Sequence, residues 1–359
     1  MYRQTFLEIN VNDLYHNLEV FNSKTNKKMM AIVKANAYGL IDYKLAKLLE
    51  EKGVDFFGVS SLDEAIRLRE HGINSKILIM GYVDDFEVIR KLDIAIITPD
   101  FDFVKSNKES LKNIKVHIKV NTGLNRLGVL PSEAKETLDT LLEAKAIPEG
   151  IMTHYACYDD VDYTYRQYNL FRDILDELNY KFEYIHTAAT DAALYLEDEV
   201  SNYVRIGLGL FGYANIEHDW DLKPVLSLKA GIVSCKKVEK GSGVSYGHHY
   251  ISDGEGYINT VTIGYSDGIS RKLENKKVYI GDEECKIVGT ICMDLMMVLS
   301  KKPHKVGEFV ELIGEHISVE DRKVDAETCC CNVITDIQSR VTRIYIKDGK
   351  VVSEIDERQ

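Results

Sequence analysis

The stretch Met30-Ala-Ile-Val-Lys34-Ala-Asn-Ala-Tyr38-Gly39 decides how this chain is read. Residues 29–33 are an unbroken apolar run that predicts a short buried strand, and a lysine stands at its exit. An ammonium group held near apolar walls is desolvated, which disfavours its charged form and lowers its pKa. That is the state an amine needs in order to condense with a carbonyl. A strand-end lysine that simply snorkels to water leaves the same local trace, so Lys34 alone leaves both readings open. The small residues that follow, with Tyr38 and Gly39, set the segment apart.

Similar strands recur along the first two-thirds of the chain. Apolar runs at 29–33, 56–59, 77–80, 94–97, 116–120, 150–154, 184–187 and 203–206 predict eight strands. Between them, residues 43–52, 62–71, 132–144 and 163–178 carry apolar side chains at three- and four-residue spacing, the mark of amphipathic helices. Eight such strands over roughly 220 residues fit a (β/α)8 TIM-type barrel better than an open sheet. Polar residues gather at the strand exits: Lys34, Ser60, Lys119 with Arg126, His154, His186 with Thr190, and Arg205. On a barrel these exits form one face, where active sites are built.

After Leu222 the texture changes to β-branched alternation with Gly and Asp turns, and helical periodicity is sparse until 325–331. The expected architecture is an α/β barrel over residues 8–222 followed by a mainly-β domain over 223–359. Residues 1–7 are open to joining that second domain, and the strand pattern at 5–9 fits either one.

A net charge of −12 disfavours nucleic acid and anionic membranes as partners. No apolar stretch approaches the ~20 residues of a spanning helix, and the N-terminus has no signal-peptide core. Cys157, Cys235, Cys285, Cys292, Cys329, Cys330 and Cys331 are odd in number and show no zinc-finger spacing. Reduced thiols in the cytoplasm, and no metal, are the expectation.

Val33-Lys34-Ala35-Asn36-Ala37-Tyr38-Gly39 matches, residue for residue, the pyridoxal-phosphate lysine motif of bacterial alanine racemases, and the chain resembles that family throughout. Further blocks appear in the family's order: residues 116–128, Thr153-His154-Tyr155-Ala156, residues 186–193, Val204-Arg205-Ile206-Gly207-Leu208-Gly209, Val244-Ser245-Tyr246-Gly247, residues 264–268 and residues 289–294. The resemblance implies pyridoxal 5′-phosphate on Lys34, with Tyr38, His154, Thr190, Arg205, Gly207 and Leu208 around the cofactor. It implies Arg126, Tyr265 and Met293 near the substrate and carbamylation of Lys119, which turns a cation into an anion able to pair with Arg126. It implies Tyr246 as a second acid/base contributed by another subunit, hence a homodimer with composite sites. The activity implied is interconversion of L- and D-alanine by two-base proton exchange at Cα, supplying D-alanine for the cell wall.

Arg205 is the decisive residue in that reading. Pyridoxal-phosphate enzymes commonly place a carboxylate by the ring nitrogen and keep it protonated, whereas a permanent cation disfavours that proton. The ring then withdraws fewer electrons, and transamination is suppressed while reversible proton exchange survives. A phenol ordinarily ionises near pH ~10, so Tyr246 needs a neighbouring cation to act as a base at neutral pH.

The chain departs from the family pattern at Asn121, where Asp is usual, and at Ala189-Thr190, where Asn-Ser is usual. It departs again at Ser339, where the family commonly has tyrosine, and at Thr342, where proline is common. Ser339 leaves room and a hydroxyl beside the substrate side chain, so serine or a broader range of amino acids is the alternative substrate reading. A barrel-type decarboxylase, a non-catalytic pyridoxal-phosphate-binding protein and a cofactor-free barrel are the rivals. The first has different marker motifs, and the second lacks the β domain that carries Tyr246.

Overall fold

The computed structural model describes residues 3–157 and 159–356. The chain divides into two compact units. One comprises Asn17–Leu210 and Ala214–Leu222; the other comprises the chain up to His16, Phe211–Tyr213 and the chain from Lys223 onward.

Among the described residues, eight parallel strands close a barrel in the first unit. With β1 reserved for the strand Thr5–Asn10, they are β2 (Lys28–Ile32), β3 (Phe56–Val59), β4 (Lys76–Ile79), β5 (Ala95–Ile97), β6 (Lys115–Lys119), β7 (Ile147–Met152), β8 (Tyr184–Ala189) and β9 (Tyr203–Ile206). Each was expected from an apolar run, because a parallel strand covered on both faces needs no polar alternation. Alternate residues of β2 fill the interior: Met30 and Ile32 pack with Phe56, Leu78, Ala95, Ile97, Met152, Tyr184 and Tyr203. Removing each such side chain from water contributes about 1.5–3 kcal/mol before the entropy of ordering is subtracted. The helices Asp42–Glu50, Leu62–Glu70, Ala134–Glu143 and Val161–Leu178 lie where the periodicity put them.

The second unit is mainly β. A nine-stranded sheet is built around the long strand β10 (Leu226–Val238). This strand pairs antiparallel with Phe309–Ile313, Gly256–Val261 and β1, and bulges at Leu228/Lys229 and Ile232/Ser234 let it bend between them. β1 lies between β10 and Thr342–Lys347, antiparallel to the first and parallel to the second. The boundary expected at residue 8 therefore falls later, after His16. Strand β1 is paired along its whole length within this sheet, which carries residues 8–10 and the start of helix Val11–Thr25 with it. The single helical pattern at 325–331 is instead two helices, Val319–Ala326 and Cys330–Thr335, separated where Glu327 takes the left-handed conformation. Among the described residues no helix is long and apolar enough to cross a membrane.

Candidate active site

Strand β2 ends at Ile32, and Lys34 opens a turn rather than closing the strand. The turn is left-handed: Ala35, Asn36, Ala37 and Tyr38 all have φ between 51° and 57°. Left-handed backbone costs an L-residue about 1–2 kcal/mol, so four in succession need support from outside. Glu64 supplies part of it, accepting from the Ala35 amide at 2.6 Å and from the Ser60 amide at 2.7 Å. The Asn36 side chain accepts from the Asp42 amide at 3.0 Å, and buried Asp42 is clamped by Arg67 at 2.5 Å. Lys34 itself is exposed on this unit. It stands in the turn, beyond the strand whose exit it was expected to mark.

What surrounds Lys34 is positive charge. Burial pushes the Lys119 ammonium down to about 8, and Arg126, Arg205 and Lys34 push in the same direction. His154 is held well below the usual imidazole range by burial first, then by Arg205, Arg126, Lys119 and Lys34. Arg205 is buried, and burial lowers it to about 10, which still leaves it cationic at neutral pH. It donates to the carbonyls of Thr153 (2.9 Å), Thr187 (2.6 Å) and His186 (2.9 Å), and to Nδ1 of His154 (3.0 Å) and His186 (2.9 Å). Sequence reasoning placed these four cations at strand exits, and the barrel brings them together. It missed buried Gln167, which donates to the His154 carbonyl at 3.4 Å and accepts from the Ala156 amide at 2.9 Å. Glu64 was missed as well, since a glutamate on a helix surface carries no mark of its inward bond.

The loop that presents Arg126 tolerates the Asn121 departure. The Asn121 side-chain oxygen accepts from the amides of Gly123 (3.2 Å) and Asn125 (2.9 Å), a task that needs an acceptor but no charge. Beside β9, a Cβ added to Gly207 would stand 2.3 Å from the Tyr38 hydroxyl, so only glycine leaves that hydroxyl its place. The Thr190 hydroxyl accepts from the Gly209 amide at 3.2 Å. Tyr38, Thr190 and the backbone of Gly207-Leu208-Gly209 thus converge in one small cradle.

In the second unit, Tyr246, Tyr265 and Met293 line a common open pocket with His249, Arg271 and Cys292. All three expected residues are exposed there. Ser245 precedes Tyr246 at φ 65°, ψ −172°, a region essentially reserved for glycine. Its hydroxyl donates to the Thr290 carbonyl at 2.7 Å, and the Thr290 hydroxyl donates to the Tyr246 carbonyl at 3.2 Å. Tyr265 is placed by amide bonds from Tyr265 to the Cys292 carbonyl and from Ser266 to the Met293 carbonyl, each 3.0 Å. Buried Asp267 anchors that turn through Arg3 and Arg340, and Arg340 also reaches Asp294 at 2.7 Å. Exposed Ser339 lies in the segment docked on the same turn, where the Gln338 amide donates to the Asp267 carbonyl at 3.1 Å.

Residues 9–215 match the family model for the alanine racemase N-terminal domain, and residues 225–345 match that for the C-terminal domain. The chain belongs to the alanine racemase family. It is 33% identical to the alanine racemase of Staphylococcus epidermidis over 97% of this chain and 96% of that one. The crystal structure of the Bacillus anthracis alanine racemase with bound L-Ala-P is 33% identical, covering 99% of this chain and 98% of that one, with a TM-score of 0.91. A histidine racemase from Leuconostoc mesenteroides is 29% identical, with a TM-score of 0.89, covering 96% of this chain and 98% of that one. As a member of this family the chain is an isomerase of the barrel-plus-β-domain architecture.

Two outcomes are expected. Gly268 has φ +96°, and a Cβ there would fall 1.8 Å from the Asp336 carbonyl oxygen. Gly268→Ala should therefore cost about 1–3 kcal/mol in unfolding free energy and loosen the segment that carries Ser339, as thermal melts and hydrogen exchange will read. The depressed Lys119 ammonium should also leave a neutral amine open to carbon dioxide. At fixed, sub-saturating labelled bicarbonate, the carbamate signal in NMR should level off above about pH 8 and fall as the pH drops below it. An unshifted lysine would still be rising there, and Lys119→Ala should show no signal.

Proposed function

We propose that this protein interconverts L- and D-alanine using pyridoxal 5′-phosphate, as a homodimer in the cytoplasm. One observation carries the reading: four cations, Lys34, Lys119, Arg126 and Arg205, converge on His154 at the strand exits of a barrel in a protein of net charge −12. Such a mouth suits a small anionic ligand. The fit to pyridoxal phosphate rests on the cradle beside it. The Tyr38 hydroxyl, held against Gly207, and the backbone around Leu208 offer donors to a phosphate, and Thr190 lies within the same cradle. Lys34 is the amine that would hold the cofactor's aldehyde carbon.

Pyridoxal phosphate supplies an electron-withdrawing ring that acidifies the substrate's Cα–H. Arg205, cationic and buried, disfavours a proton on the ring nitrogen and so limits that withdrawal to what proton exchange needs. Lys34 removes or returns the Cα proton on one face. Tyr246, contributed by a second copy, does so on the other, and Arg271 and His249 line the same pocket as its ring. Arg126, oriented by carbamylated Lys119, and the backbone at Met293 receive the substrate carboxylate, and Tyr265 narrows access. The product supplies D-alanine for cell-wall synthesis.

Serine is the second substrate we propose, because Ser339 is small, exposed and docked on the Tyr265 turn.

Lys34→Ala should lose the visible absorbance of bound cofactor and nearly all racemisation, and Tyr246→Phe should lose ~10²–10⁴-fold in rate. Mixing the two inactive proteins should restore activity in heterodimers with one intact site; silence after verified subunit exchange would reject the shared site. Ser339→Tyr should lower the serine-to-alanine ratio of kcat/KM by roughly tenfold, or ~1–2 kcal/mol, through one lost hydrogen bond and added bulk. An unchanged ratio would remove Ser339 from substrate choice.

A further inference from the structure

Behind Arg205 a row of buried titratable groups runs through the barrel interior, and the chemistry above does not use it. A guanidinium has only donors, so the Nδ1 of His186, 2.9 Å from Arg205 Nη1, must accept. The proton of neutral His186 then sits on Nε2, which lies 2.8 Å from Nδ1 of His117. That nitrogen must accept in turn, which places the His117 proton on Nε2, facing Glu149 Oε1 at 3.4 Å. Each link fixes the next. A second proton on either ring is opposed: burial holds His186 well below the usual imidazole range and His117 below it, with Arg205 pushing both the same way.

The surrounding structure is shaped to this row. The ladder of β6 with β7 shifts register between Val116 and His117, and that of β8 with β9 shifts between His186 and Ala189. Bulges re-aim side chains, and here they fall at both histidines. A Cβ on Gly150, opposite His117, would stand 2.3 Å from its Nδ1, so a bare backbone makes room for the ring. Tyr184 stacks on that ring at 18° and Phe56 meets it edge-on at 70°.

We infer that His186, His117 and Glu149 are positioning residues: a one-way hydrogen-bond chain that fixes the His186 tautomer whose lone pair holds the Arg205 guanidinium in place. With the other tautomer, two N–H groups would oppose each other at 2.9 Å and the guanidinium would have to move. The catalytic consequence rests on the proposed placement of Arg205 at the cofactor ring; the tautomers do not.

Full-length protein with nitrogen-labelled histidine, read by NMR with and without pyridoxal phosphate, tests the chain directly. Both rings should be neutral and protonated on Nε2. A proton on Nδ1 of either ring, or a doubly protonated ring, overturns the inference. His117→Phe keeps the aromatic packing and deletes the acceptor; kcat for alanine should fall ~10–100-fold, as hydrogen-bond partners behind a functional group typically cause, with KM moving far less. A wild-type kcat in this variant overturns the inference. Glu149, at the half-buried end, gives a variant pair that is safer for folding. Glu149→Leu should lower kcat, whereas Glu149→Gln, whose side-chain oxygen can still accept from His117, should retain most of it. Equal loss in both overturns the positioning role. Failure of the unaltered protein to racemise any amino acid would instead refute the proposed function, and the NMR result would then decide the chain alone.

Discussion

Arg205 is a guanidinium enclosed by a parallel barrel, and among the described residues no carboxylate pairs with it. Its donors end on three carbonyls and two imidazoles. A buried charge held only by dipoles is expensive unless every hydrogen bond is made, and here each terminal nitrogen is matched to acceptors. The charge, only partly offset by Asp198, then sets the state of its neighbours. It reinforces the effect of burial on His154 and His186, keeping them neutral, and it adds to the forces that bring the Lys119 ammonium down to about 8. A site prepared this way presents fixed positive potential before any ligand arrives, which is the condition for strong electrostatic stabilisation in a shielded place.

The two proposed proton-handling residues share a second property. Lys34 leads into four left-handed residues, and Tyr246 lies between Ser245 at φ 65° and His248 at φ 50°. Backbone in such regions persists only when its surroundings over-determine it. Glu64, Asn36 and the Asp42–Arg67 pair do so for the first turn, and the Ser245–Thr290–Tyr246 stitching does so for the second. In each unit the strain lies beside the reactive side chain rather than in the strands that support it.

This division explains what could be read from the amino-acid order. The barrel strands were legible because each is an apolar run buried on both faces, and the grouping of Lys119, Arg126, His154 and Arg205 followed from the rule that strand exits share a face. Tyr246, Tyr265 and Met293 were legible only through family resemblance, since isolated turns carry no periodicity. The left-handed turn after Lys34 was not legible, because Ala-Asn-Ala-Tyr is unremarkable by propensity and its support comes from Glu64, thirty residues on. The placement of Lys34 was hidden for the same reason: the strand stops one residue before the apolar run does, and the lysine opens the turn beyond it. The assignment of β1 was open because alternation shows a strand but not its partner, and both of its partners lie more than two hundred residues away.

That last distance bears on how the chain is made. Ribosomal synthesis releases the N-terminus first, yet β1 is flanked by β10 and Thr342–Lys347, which emerge after the whole barrel. The eight barrel strands are contiguous between residues 28 and 206, so the barrel can close while the C-terminal third is still in the ribosome. Throughout that interval Thr5–Asn10 waits without its sheet partners, a ready template for wrong pairing. Vectorial folding therefore leaves the beginning of this polypeptide among the last parts to find its place.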